Sequence, residues 1–107
     1  MNNHTYLDGL IILGYLELNL GVDKLELFEE KFNYYYNIRI NMPGKMDFIS
    51  FLSITENAYA SALSDKDVDL ESKLKEEFSE KVKLNQFILK EIVKDNMKNR
   101  IIMSTMN

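Results

Sequence analysis

The chain has no cysteine, no tryptophan, one proline, one histidine and four glycines in 107 residues. Each shortage removes something. Without Cys there is no disulfide, no zinc–thiolate site and no thiol nucleophile, and the absence fits a reducing compartment. The single His, His4, lies close to one end, where chains are commonly untethered. Nucleophilic catalysis is thereby left without its usual base, and no triad is expected. Gly9, Gly14, Gly21 and Gly44 each stand alone, so there is no glycine-rich phosphate loop. Long apolar runs are also missing. Tyr6 to Leu20 is the most apolar stretch, but it is too short to span a bilayer and carries Asp8 and Glu17. No Lys or Arg precedes it, which argues against a signal peptide. The expected location is the cytoplasm, with no membrane partner.

Positive charge is scarce as well. The net charge of −4 and a sequence pI of about 5.0 weigh against a dedicated nucleic-acid binder, which usually carries a basic surplus. The apolar share of 46% is ordinary and supports one domain, residues 1–107, with its own core. Heavy use of Lys, Asn, Ile and Tyr points to an A+T-rich genome, as in low-GC bacteria, archaea and their viruses.

Carboxylate chemistry finds little support. Glu26 and Glu30 share one helical face, as do Glu76 and Glu80. Di-iron helical sites need Glu-x-x-His pairs, and none exists here. These residues read as solvated surface, and neither a metal nor a cofactor is expected. Gly44, Met46, Phe48 and Phe51 fall where an EF-hand carries its central Gly, inward apolar residue and second-helix aromatics. The loop would then start at Arg39, hold Pro43 at its fifth position and put Ser50 where a bidentate Glu is required. Calcium binding is not expected, and the outline is that of any helix–turn–helix.

What the chain does have is a long C-terminal amphipathic segment, Asp69 to Met103. Leu70, Leu74, Phe78, Val82, Leu89, Ile92 and Val93 recur at spacings of three and four, one apolar helical stripe. Asp67 or Asp69 is the expected N-cap. Charge is sorted along this segment. Residues 65–80 hold seven acidic and three basic side chains, and residues 81–107 hold six basic and two acidic. The order suits the helix dipole. It also suits two copies packed antiparallel, with Leu74, Phe78, Val82, Leu89 and Ile92 as the dimer interface. A helix of about 26 residues spans roughly 39 Å, long for so small a domain. After Val93 the stripe loses phase, so a fray, a kink or a separate short segment is expected there.

Three further helices are expected. The first starts at Thr5, with Asp8 at capping-box spacing, and ends at Asn19 and Gly21. It is apolar nearly all round, and Gly9 and Gly14 either weaken it or permit a close helix–helix approach. The second starts near Val22 and buries Leu25, Phe28, Phe32 and Tyr35. Residues 34–42 then alternate with a strand period, so the expectation is helix to about Asn37 and an extended segment into Met42. The alternative is a hairpin pairing 34–42 with 46–54. Pro43-Gly44 suits the centre of a type II turn. Asp47 caps a third helix, Asp47 to Leu63.

Tyr34, Tyr35, Tyr36 and Arg39 form the expected partner-binding cluster, because Tyr and Arg combine large area with a polar tip. Three consecutive Tyr cannot all face one core, so at least one is exposed. For nucleic acid, a recognition-helix reading of Asp47 to Leu63 lacks any Lys or Arg. The better candidate surface is Lys81, Lys90, Lys94, Lys98 and Arg100.

The fold expected is all-α: a compact four-helix domain with a long C-terminal amphipathic helix. The function expected is non-enzymatic protein–protein interaction, by a homodimeric accessory or inhibitor protein of the kind viruses and mobile elements encode. A nucleic-acid-binding regulator using the basic end of the last helix is the alternative.

Overall fold

The computed structural model describes residues 5–106, and side chains through Glu91. It is all-α. The elements are α1 (Tyr6–Tyr15), a 3-10 turn (Val22–Lys24), α2 (Leu25–Ile40), α3 (Phe48–Ser64) and α4 (Val68–Met106). Helix α3 is the hub, packed against α2 on one side and α4 on the other, and α1 closes over all three.

The core is aromatic at its centre. Phe28, Phe32, Phe51 and Phe78 are fully buried, joined by Ile12, Leu16 and Leu89. Phe32 is the shared member. Its ring centroid lies 5.9 Å from Phe28, 5.6 Å from Phe51 in an edge contact, and 6.2 Å from Tyr36 in a stacked one. Such offset and edge geometries are those the ring quadrupole favours.

Helix α1 is shorter than expected. Thr5 takes helical angles (φ −64°, ψ −21°) rather than an extended cap geometry, and the helix stops at Tyr15, not Asn19. The reason is a Schellman closure. The Leu18 N–H donates to the Leu13 carbonyl at 2.9 Å, and the Glu17 N–H to Gly14 at 3.1 Å. Glu17 takes the left-handed position, φ 57°, that usually belongs to Gly. The chain then runs out with Leu16, Leu18 and Leu20 buried and Glu17 and Asn19 exposed.

The two glycines of α1 have opposite meanings. A Cβ on Gly9 would lie 3.0 Å from the Phe32 ring and 3.2 Å from Phe28, both immobilised in the core. Nothing lies within 4 Å of a Cβ on Gly14. Gly14→Ala is therefore expected to stabilise the fold by about 0.5–1 kcal/mol, by reducing the freedom of the unfolded chain. Gly9→Ala is expected to lower the melting temperature despite the same propensity gain, because overpacking outweighs it. Thermal unfolding of the two variants side by side checks both signs.

The extended segment and the hairpin expected around 34–46 do not form. Residues 34–40 continue α2, and no strand occurs among the described residues. Tertiary contacts override the local strand preference. Phe28, Phe32, Tyr35, Tyr36 and Arg39 share one helical face, and each has a partner on it. Gly44 after Pro43 takes φ 103°, the positive angle that a type II turn needs at that position. Asp47 caps α3, its Oδ1 accepting the Ser50 N–H at 2.7 Å. Asp65 and Lys66, both left-handed (φ 49° and 70°), end α3. Asp67 caps α4, its Oδ1 accepting from the Asp69 and Leu70 N–H groups at 3.1 Å each. Helix α4 then runs 39 residues without the break expected after Val93.

Candidate functional site

The tyrosine cluster divides as the helix period requires. Tyr34 is exposed, while Tyr35 and Tyr36 are half-buried. The Tyr35 hydroxyl is hydrogen-bonded to that of Ser61 on α3 at 3.2 Å, and the Tyr36 ring stacks on Phe32. Tyr34 packs edge-on against Tyr35, with centroids 5.1 Å apart. Arg39 is occupied within the fold. Its Nε donates to Ser50 Oγ at 3.1 Å and its Nη2 to the Lys45 carbonyl at 2.6 Å, tying the end of α2 to the turn and to the start of α3. Of the four expected binding residues, Tyr34 is the one the fold leaves open.

The expected dimer stripe faces inward. Phe78 is 2% exposed and Leu89 is fully buried, and Leu74 and Val82 pack against the same core. These side chains are spent on α3 and α1, so in this fold they are not free for a second copy. The side chain of Ile92 lies outside the described residues, as do those of Lys94, Lys98 and Arg100. Lys90 is exposed and Lys81 half-buried.

Unspent apolar surface lies on the other side of α4. Leu84 and Phe87 are 82% and 83% exposed, and Ile88 is 55% exposed. Phe87 follows Phe78 by nine positions, which at about 100° per residue is half a turn beyond two full ones. The helix thus carries a buried phenylalanine on one face and an exposed one on the opposite face. Leu84, Phe87 and Ile88 have the i, i+3, i+4 spacing of one patch. That spacing was legible in the sequence, but it lies off the dominant stripe and among charges, so a single-stripe reading passes over it. A second row, Leu7, Ile11 and Tyr15, is exposed along α1.

A shallow apolar cleft of about 280 Å³ opens between α1 and the start of α2, lined by residues such as Leu10, Leu13, Leu18, Leu20 and Leu25. Asn19 is its one polar side chain, and that amide oxygen accepts the Gly21 N–H at 3.1 Å. The cleft can take an apolar group but presents no acid–base pair. Glu26, Glu30, Glu76 and Glu80 are all exposed, and among the described residues no three His, Asp or Glu side chains converge as a metal site would need. Among the described residues no helix is long and apolar enough to cross a membrane.

One carboxyl is shifted upward. Burial raises the Glu56 side chain above the usual Glu range, and Lys75 partly offsets this. The folded protein then holds this proton more tightly than the unfolded chain does. Its contribution falls as pH rises from the unfolded value through the folded one. Glu56→Gln is expected to remove that decline, and urea titrations across mildly acidic pH would show a flatter profile. An unchanged profile would mean that the buried carboxyl is not its source.

No family model matches the chain, and no curated protein or solved structure matches it.

Proposed function

We propose that the protein works by protein–protein contact rather than by catalysis, as a self-associating accessory or inhibitor protein whose interface is the outer face of α4. A viral or mobile-element origin would suit its size and composition. The observation that carries the reading is the exposed patch of Leu84, Phe87 and Ile88 on a helix whose opposite face already fills the core. Large apolar side chains held together on a rigid element mark interaction sites more often than scattered surface residues do. Aromatic residues at the centre of such a patch dominate binding energies. Nucleic acid is the weaker reading: exposed Glu91 interrupts the basic run beside Lys90, and the chain as a whole is acidic.

Light scattering coupled to size exclusion, over a range of protein concentrations, tests the reading. The expected result is a concentration-dependent dimer that Phe87→Asp converts to a folded monomer. A monomer at every concentration would overturn self-association. A salt-sensitive nucleic-acid complex, lost on changing Lys90, Lys94 and Lys98 to Glu, would favour the alternative.

A further inference from the structure

We infer that two copies of this chain pair antiparallel along α4, about a two-fold axis at Phe87. The inference rests on the self-association proposed above and adds its direction and register. A two-fold at Phe87 sets each position on one helix level with the position equally far on the other side of Phe87 in the partner copy. Lys83 comes level with position 91, a Glu. Glu80 comes level with position 94, a Lys, and Glu76 with position 98, a Lys. All three pairs are opposite in charge, and symmetry doubles each one. These six positions also lie within about 40° of Phe87 around an α-helix, so they form one seam with the aromatic ring at its midpoint. Those whose side chains are described, Glu76, Glu80, Lys83 and Glu91, are all exposed.

Two other arrangements fare worse on charge. A parallel pair in register sets Glu76, Glu80, Lys83 and Glu91 each against its own copy, like charge against like. A two-fold moved to Leu84 sets Glu77 level with Glu91 and leaves Glu80 level with Ile88. Phe87 also lies midway between Val68 and Met106, so this register overlaps the two helices along their full length. Ion pairs in such a seam add little net affinity each, because desolvation offsets their attraction. Their role here is to select direction and register, while Leu84, Phe87 and Ile88 supply the apolar contact.

The absence of native Cys makes the test direct. Phe87→Cys and Lys73→Cys are made separately in the full chain and mildly oxidised, and light scattering is recorded on the unmodified protein. Expected is a covalent dimer from Phe87→Cys and none from Lys73→Cys, since antiparallel pairing holds the two copies of position 73 about 42 Å apart along the helix. Efficient crosslinking at both positions would mean parallel pairing and overturn the inference. Because Phe87→Cys removes the central ring, a charge series accompanies it. Lys83→Glu is expected to weaken the dimer about ten-fold, and adding Glu91→Lys to the same chain is expected to restore it. A dimer in the unmodified chain with no crosslink at Phe87 and no rescue would overturn the register while leaving self-association standing. A monomeric unmodified chain would overturn both.

Discussion

Phe32→Ala is expected to cost about 3–5 kcal/mol of folding stability, the largest loss from any single truncation in this chain. Phe32 is fully buried and meets three other rings, Phe28, Tyr36 and Phe51. Its ring is also the surface against which Gly9 brings α1 down. Removing it opens a cavity where α1, α2 and α3 meet, and the neighbouring rings have no second set of contacts to move into. Urea denaturation would show a lower midpoint at unchanged slope. Phe87→Ala is the control, because a ring already in water is expected to change monomer stability by no more than about 0.5 kcal/mol. Equal losses from the two substitutions would mean that Phe87 is packed in the core rather than exposed on the outer face of α4.

The second large effect is expected at Arg39. Arg39→Ala should cost about 1.5–3 kcal/mol, the range for hydrogen bonds from a charged donor. The guanidinium holds two groups at once, the Ser50 hydroxyl and the Lys45 carbonyl. Arg39→Lys should recover only part of the loss, since a single ammonium lacks the planar fork that reaches both. The pH dependence separates this role from simple loss of packing. Hydrogen bonds from the Ser50 hydroxyl and the Ser50 N–H hold the Asp47 carboxyl below its ordinary range, with Arg39 adding to them by charge. A depressed carboxyl contributes stability above its unfolded pKa, and that stability is lost as pH falls through the folded value. In Arg39→Ala the acid-side loss should begin at higher pH than in the unmodified chain. An acid limb that stays in place would separate Arg39 from the Asp47 cap.

Much of this architecture is legible in the residues, and the exceptions have physical causes. Asp47, Asp67 and Pro43-Gly44 mark their boundaries because caps and turns are local chemistry, complete within three or four residues. The stretch Tyr34 to Met42 misleads for the converse reason. Its alternation and its Tyr and Ile content favour a strand locally, and what makes it helical is Phe32, Ser61 and Ser50, one of them 26 positions away from its partner. The end of α1 is hidden because Glu17 occupies a position where Gly is the usual signal.

The candidate site is legible in a different way. The period of α4 shows which residues share a face, and Phe78 and Leu89 do share one. Periodicity does not show what covers that face. A chain of 107 residues can cover it with its own α3 and α1, and this one does. The covering of one face is what makes the opposite one informative, since Leu84, Phe87 and Ile88 remain exposed after the domain's core is complete.

The half-turn between Phe78 and Phe87 also limits how this chain can change in evolution. One residue inserted between them would swing everything beyond by about 100°, turning Phe87 sideways and carrying Leu89 out of the core. Seven residues would return the phase to within about 20°. Related chains that keep both faces should therefore differ in this part of α4 by lengths that restore the phase, such as seven or eleven residues, or not at all.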